Sequence, residues 1–100
     1  MLIVGGIFEI EPDQRDAFLA GRLELMRGSR AEAGCLDYTF SADPMEPSRV
    51  LLFERWESQE ALDAHLAGLR TAPPPSGTGV TPTSASITIY DIAAQRPLGG

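Results

Sequence analysis

Residues 49–57 have the sequence Arg-Val-Leu-Leu-Phe-Glu-Arg-Trp-Glu, and this stretch decides which folds the chain can adopt. Its branched and aromatic residues predict a β-strand, in which alternate side chains point to opposite faces. An antiparallel sheet with one solvated face would alternate apolar and polar residues. Here both faces are largely apolar, so the sheet that contains this strand is predicted to be covered on both sides. The two faces are Val50, Leu52, Glu54 and Trp56, and Leu51, Phe53 and Arg55.

The segments on either side of this strand predict three more strands and two helices. Pro12 suits the first turn of a helix, Gly34 ends that helix, and Ser58 is a suitable N-cap for the second. Leu36 is expected to share one strand face with Tyr38 and Phe40. The predicted elements are strand 2–10, helix 12–32, strand 35–41, strand 49–57, helix 58–69 and strand 84–92.

The order of these elements is β-α-β-β-α-β, which is typical of ferredoxin-like α+β folds with an antiparallel sheet. Two helices can cover only one face of a four-stranded sheet. The other face is apolar in the first, third and fourth strands and needs a partner. A second copy related by a two-fold axis is the simplest partner, and we therefore predict a homodimer.

One domain is predicted over residues 1–92, because the chain has only 100 residues. A proline-rich loop over residues 71–82 precedes the last strand, and residues 93–100 are expected to form a flexible tail. Gly5 and Gly6 lie inside the first strand, where they indicate a bulge or the close approach of another element.

The composition excludes several classes of partner. With 14 acidic and 8 basic residues, the formal net charge is −6. Nucleic acid or an anionic membrane surface would call for clustered basic residues, which the sequence lacks. No segment has the length of a membrane span, and the apolar opening stretch has no basic start or cleavage site of a signal peptide. The single cysteine, Cys35, cannot form an intrachain disulfide, which fits a cytoplasmic protein.

Three polar residues occupy positions where apolar residues are expected. Arg22 and His65 lie on the inner sides of the two predicted helices, and Glu54 shares a strand face with Leu52 and Trp56. Because buried charge is costly unless it is paired, one interpretation is an ion pair of Arg22 with Glu54 and a satisfied core histidine. The other interpretation is a site between sheet and helices that contains the only histidine of the chain, a residue type that titrates near neutral pH.

Aromatic residues surround the same predicted space. In the simplest interpretation Trp56, Tyr38 and Phe40 are core residues, and in the functional one they form walls against an aromatic ligand. No metal site is predicted, because one histidine and one cysteine without ligand spacing cannot build a zinc site.

Residues 29–38 read Ser-Arg-Ala-Glu-Ala-Gly-Cys-Leu-Asp-Tyr, residues 53–58 read Phe-Glu-Arg-Trp-Glu-Ser, and residues 61–66 read Ala-Leu-Asp-Ala-His-Leu. These segments resemble the E-x-G-C-x-x-Y, [YF]-E-x-W and A-x-x-x-H patterns of the antibiotic-biosynthesis monooxygenase family. With the leading strand and helix, the resemblance covers roughly residues 1–70.

The resemblance implies a homodimeric α/β barrel with one cavity per subunit, lined by residues that match Trp56 and His65, with Glu54 nearby. Some members of the family oxidise polycyclic phenols to quinones without metal or flavin. Others degrade haem, detoxify quinols or have no known substrate.

The first hypothesis is therefore a cofactor-independent monooxygenase that oxidises a phenolic or quinol-like aromatic molecule with O2. His65 is assigned as the catalytic base and Arg22 as the group that stabilises the developing oxyanion. Trp56 is assigned as a stacking wall in a dry cavity. The predicted substrate-binding residues are Trp56, Glu54, Tyr38 and Phe40.

Two other hypotheses remain open, a non-catalytic small-molecule binder or stress-related dimer on the same scaffold, and a haem-degrading monooxygenase. Many members carry a second histidine and a third helical segment over the cavity, where this chain continues from 69–71 into Pro73-Pro74-Pro75. Haem-degrading members use an asparagine on the first strand, where this chain has Gly5 and Gly6, so haem is the less favoured cofactor.

Overall fold

The sheet of the protein has four antiparallel strands in a computed structural model that describes residues 1–71 and 80–99. The strands are β1 (Leu2–Glu9), β2 (Cys35–Ala42), β3 (Arg49–Trp56) and β4 (Ser84–Asp91). Their order across the sheet is β2-β3-β1-β4. This arrangement confirms the predicted α+β fold with a ferredoxin-like sheet. The greater part of the loop predicted over 71–82 lies outside the described residues.

The helical segments are a 3₁₀ turn (Pro12–Gln14), α1 (Arg15–Ala20), α2 (Leu23–Arg30) and α3 (Gln59–Thr71). The prediction of one continuous helix over 12–32 is wrong, because Gly21 and Arg22 separate α1 from α2. The backbone N–H of Arg22 donates to the carbonyl of Leu19, only three residues earlier, at 3.0 Å. Such a bond tightens the helix locally, and glycine is a poor helix former.

One face of the sheet packs against the helices and forms the core. Trp56 and Val50 of β3 are fully buried there, together with Phe18 of α1 and Leu62 of α3. Ser58 caps α3, since its hydroxyl accepts a hydrogen bond of 3.1 Å from the backbone N–H of Ala61. The predicted inward face of β3 is therefore confirmed, with Glu54 buried beside the apolar residues.

The opposite face of the sheet, called the outer face below, carries exposed apolar side chains. Ile7, Leu51, Phe53 and Tyr90 lie on it and are 36–52% exposed. Both faces of the central strands are thus apolar, as predicted, and the helices of the described chain cover only one of them. A large exposed apolar patch of this kind marks an interaction surface in soluble proteins.

Two predictions concerned residues inside the strands: the one for the glycines of β1 is confirmed and the one for Leu36 of β2 is wrong. The pairing of β1 with β3 is continuous through Gly6, and a Cβ atom there would lie 3.2 Å from Leu52 Cβ. Gly6 therefore allows a close approach and marks no bulge. The register of β2 instead shifts between Cys35 and Asp37, so Leu36 is 40% exposed and does not share the inner face as predicted.

Within the described ranges, no helix is both long enough and apolar enough to cross a membrane.

Candidate active-site cavity

A cavity of about 260 Å³ lies between the inner face of the sheet and helices α2 and α3. Ile87 and Ile89 of β4 form one side of it and are about half exposed, so the cavity is open towards that edge. Apart from three polar side chains its lining is apolar. The lining residues are Val4, Phe8, Leu25, Tyr38, Phe40, Leu52, Glu54, Leu62, His65, Leu66, Leu69, Ile87 and Ile89.

His65 is the most basic group of this lining. It is 3% exposed, and its Nδ1 atom lies 2.8 Å from Oε2 of Glu32. A carboxylate at this distance favours the tautomer in which Nδ1 carries the proton and donates to Glu32. Because no other described residue hydrogen-bonds the ring, Nε2 is left with its lone pair available. The geometry suits a base that accepts a proton at Nε2.

A tight turn places Glu32 beside α3. Gly34 has φ of +83°, a conformation that residues with a Cβ atom rarely adopt. A Cβ atom at Gly34 would lie 2.5 Å from Cβ of Ala61 on α3. The backbone carbonyl of Gly34 also accepts a hydrogen bond of 2.8 Å from the N–H of Glu57. The turn and α3 are therefore in direct contact, which brings Glu32 within reach of His65.

Glu54 is the second polar residue of the lining and is 5% exposed. Its Oε1 atom accepts a hydrogen bond of 2.9 Å from the indole N–H of Trp56. Burial raises the pKa of Glu54 above its usual value, and the Trp56 hydrogen bond and the nearby His65 offset part of this effect. No other described residue hydrogen-bonds the carboxyl group, so its second oxygen can accept a hydrogen bond from a ligand.

Trp56 supports the site from behind. It is fully buried and is not among the residues that line the cavity, so it does not form the stacking wall that was predicted. Its ring instead packs against His65, with 4.7 Å between ring centroids, while its N–H holds Glu54. One side chain thus fixes the positions of two polar lining residues.

Tyr38 and Phe40 line the cavity, and their role in binding a substrate stays a prediction. The Tyr38 ring lies 5.3 Å from the His65 ring, in an edge-to-face arrangement. Burial, followed by the nearby charge of Glu54, raises the pKa of the Tyr38 hydroxyl far above its usual value. The neighbouring Ser29 hydroxyl slightly offsets this rise, although it makes no hydrogen bond of good geometry with any described residue. Tyr38 therefore keeps its proton and can donate a hydrogen bond to a ligand.

Arg22 does not join this group. Its guanidinium carbon lies 4.1 Å from the centroid of the Phe18 ring, a cation–π arrangement, and Arg22 is absent from the cavity lining. Within residues 1–71 and 80–99 it forms no ion pair, so the suggested pairing with Glu54 is wrong. Burial lowers the pKa of Arg22 from its usual value.

The sequence pattern thus predicted four of the residues at the cavity, namely Glu54, His65, Tyr38 and Phe40. It did not predict Glu32. The contact of Glu32 with His65 joins residues 33 positions apart, which helix periodicity cannot reveal. One signal was present: Glu32 is the acidic residue of the E-x-G-C-x-x-Y segment, two positions before Gly34.

Among the described residues, no group of three or more histidine, cysteine, aspartate or glutamate side chains is arranged to hold a metal ion. The fit of haem can be judged by size. The cavity of about 260 Å³ lies below the range of about 300–1,000 Å³ typical of drug-sized ligands, and haem is larger than most of these. The cavity as described does not accommodate haem.

A family model described as "Antibiotic biosynthesis monooxygenase" matches residues 1–69. The Synechocystis "Uncharacterized protein sll1783" is 36% identical over 64 residues, which is 64% of this chain and 44% of that protein. The chain thus matches less than half the length of this relative. The Bacillus subtilis "Putative monooxygenase YcnE" is 26% identical over 65 residues, covering 65% of this chain and 68% of that protein.

Solved structures show the same fold. The crystal structure of a Deinococcus radiodurans protein described as a "putative antibiotic biosynthesis monooxygenase" superimposes with a TM-score of 0.82, covering 100% of both chains at 23% identity. A second crystal structure, described as "antibiotic biosynthesis monooxygenase", has a TM-score of 0.73 and 26% identity, covering 94% of this chain and 100% of the other.

Proposed function

Because the chain belongs to the antibiotic biosynthesis monooxygenase family, we propose that it oxidises a small phenolic or quinol-like aromatic molecule with O2. The observation that carries the proposal is that His65, paired with Glu32, lines an otherwise apolar cavity. An apolar cavity with a few converging polar groups is the usual form of a small-molecule site. The reaction requires neither metal nor flavin.

The protein's first task in this reaction is to remove the phenol proton. His65 accepts it at Nε2, while Glu32 holds Nδ1–H and stabilises the imidazolium that results. The apolar walls exclude water, which strengthens the attraction between imidazolium and phenolate. The phenolate is a far better electron donor than the phenol, so proton removal prepares it to reduce O2.

The substrate supplies all the electrons. When a phenol becomes a para-quinone, the O–H bond and one ring C–H bond break and a new C=O bond forms. One oxygen atom of O2 enters the quinone, and the other leaves as water with both protons. The reaction balances without any further reductant.

The remaining side chains orient the ring. Tyr38 and Phe40 form part of the wall, and Glu54 accepts a hydrogen bond from a ligand hydroxyl. Trp56 holds Glu54 and His65 in place. No step is assigned to Arg22, because it stacks on Phe18.

The working unit of the proposal is a homodimer that buries the outer face of the sheet. The proposal is supported by the exposed apolar residues of that face, which the described helices leave uncovered. A second copy would cover them, and the cavity lies on the opposite face of the sheet.

The test is oxygen consumption with 1-naphthol as substrate. We expect the wild type to consume O2, and His65→Ala to reduce the rate by about 10²–10⁴-fold, the usual contribution of a general base. Asp63→Ala, an exposed change on the same helix, serves as the control and should keep the rate. An unchanged rate in a folded His65→Ala variant would remove the assigned role, and tight binding without oxygen uptake would favour a non-catalytic binder.

A further inference from the structure

The charged side chains at the cavity are mainly acidic. The lining contains one carboxyl group, Glu54, and a second one, Glu32, lies directly behind His65. No arginine is among the lining residues, and the chain has no lysine. Arg22, which was predicted to face this space, stacks on Phe18 instead. A ligand that carries a carboxylate, phosphate or sulfate would find no fixed positive charge in this cavity.

Glu54 is the lining residue that can distinguish a neutral ligand from an anionic one. Its carboxyl group is 5% exposed, is anchored by Trp56 at 2.9 Å, and cannot turn away without breaking that bond. Its second oxygen can accept a hydrogen bond from a neutral hydroxyl. The same oxygen repels an anion, and like charges brought together in a desolvated site are costly.

The size of the cavity limits the ligand further. A volume of about 260 Å³ lies below the range of about 300–1,000 Å³ for drug-sized ligands. The walls offer apolar contact and the polar groups Tyr38, Glu54 and His65 provide the hydrogen bonds. This combination suits one or two aromatic rings with hydroxyl groups at the polar positions.

We infer that Glu54 determines specificity by admitting uncharged one- or two-ring phenols and rejecting aromatic acids of the same size. The inference rests on the proposed function, since it describes the substrate class of the same cavity. It assigns Glu54 the role of a specificity residue, and leaves the proton-accepting role with His65.

Binding can be measured without turnover by the fluorescence of Trp56, the only tryptophan, under anaerobic conditions. Because burial raises the pKa of Glu54, binding is measured at about pH 6 and at about pH 8, and the preference against an anion should increase with the ionised fraction of Glu54. Three ligands of nearly equal size separate charge from shape: 1-naphthol, 1-naphthoate and 1-naphthamide. We expect the wild type to bind naphthol and naphthamide at least about tenfold more tightly than naphthoate, a factor typical of one unfavourable charge contact.

Glu54→Gln keeps an acceptor for Trp56 and removes the charge. It should strengthen naphthoate binding by about tenfold or more and change naphthamide binding little. Glu57→Gln alters the net charge equally at an exposed position and should leave the preference unchanged. If Glu54→Gln does not fold, the comparison of naphthoate with naphthamide in the wild type still tests whether the cavity rejects an anion.

The outcomes are distinct. Equal binding of naphthoate and naphthamide by the wild type, or an unchanged preference in Glu54→Gln, overturns the inference while the proposed function stands. Failure of all three ligands to bind overturns the proposed function, and the inference with it.

Discussion

The hydrogen bond between Trp56 and Glu54 provides the sharpest test of the cavity's architecture. Trp56→Phe keeps an aromatic ring but removes the indole N–H that donates to Glu54 Oε1. Glu54 is 5% exposed and has no other hydrogen-bond donor among the described residues. The variant therefore leaves a buried carboxyl group without a protein partner.

The expected loss combines two effects. An orphaned buried polar group costs about 1–3 kcal/mol, and more when it is charged. The smaller ring also leaves a void, and because complete truncation of a buried aromatic side chain costs about 3–5 kcal/mol, we assign about 1–2 kcal/mol to the partial loss. The free energy of unfolding should fall by about 2–5 kcal/mol in Trp56→Phe, a large part of the about 5–15 kcal/mol typical of a domain.

A double-mutant cycle isolates the hydrogen bond. Glu54→Met removes the acceptor, and the double variant has neither an orphaned donor nor an orphaned acceptor. We expect the double variant to be more stable than the sum of the single losses by about 1–3 kcal/mol. Urea unfolding followed by far-ultraviolet circular dichroism measures all four proteins, because the fluorescent residue is itself replaced.

A control cycle combines Trp56→Phe with Glu24→Gln, an exposed residue on α2, and should be additive within about 0.5 kcal/mol. If the Trp56–Glu54 cycle is equally additive, the bond does not hold the two side chains together, and the argument that Trp56 supports the site is refuted.

Four further predictions follow from individual contacts. Glu32→Gln should lower kcat/KM for 1-naphthol by at least about tenfold, because an amide no longer favours the His65 tautomer with the proton on Nδ1, and an unchanged value would contradict the pairing with His65. Gly34→Ala should destabilise the fold by at least about 1–2 kcal/mol in thermal unfolding, because a positive φ disfavours a side chain; no change would argue against the tight turn. Burial raises the pKa of Glu54, so the native state binds its proton more tightly than the unfolded state does. The stability that this protonation contributes is fully present below the usual pKa of the group, and it is lost as the pH rises from that value through the raised pKa. The stability of Glu54→Gln relative to wild type should therefore increase from about pH 4 to pH 7 in urea titrations, and a constant difference would contradict the shift. Phe53→Asp, on the outer face, should convert the proposed dimer to a monomer in light scattering, and a wild-type monomer at the same concentration would refute the dimer.

Much of the fold could be predicted because the pattern of apolar residues is local. The alternation along β3 predicted apolar residues on both faces of the sheet, and the order of elements left few topologies. The break at Gly21 and Arg22 could not be predicted from periodicity, since both residues stay in the right-handed helical region although ψ, at −9° and −4°, departs from its α-helical value. Leu36 was misplaced for a similar reason, because a one-residue shift in pairing leaves no mark on the sequence.

The site was predictable where a polar residue interrupts an apolar pattern. Glu54 and His65 stand out in this way, and both line the cavity. Arg22 interrupts a pattern too, yet its guanidinium stacks on the ring of Phe18, which a helical wheel cannot distinguish from an inward position. Glu32 follows the end of α2 at a partly exposed position, and only the turn at Gly34 brings it to His65.

The central claim is that this cavity inserts an oxygen atom from O2 into a small phenol. The most direct measurement incubates the purified protein with 1-naphthol and isotopically labelled O2 and analyses the product by mass spectrometry. The account predicts a naphthoquinone that carries one labelled oxygen atom, formed by the wild type and much more slowly by His65→Ala. A quinone without label, or equal formation by both proteins, would contradict it.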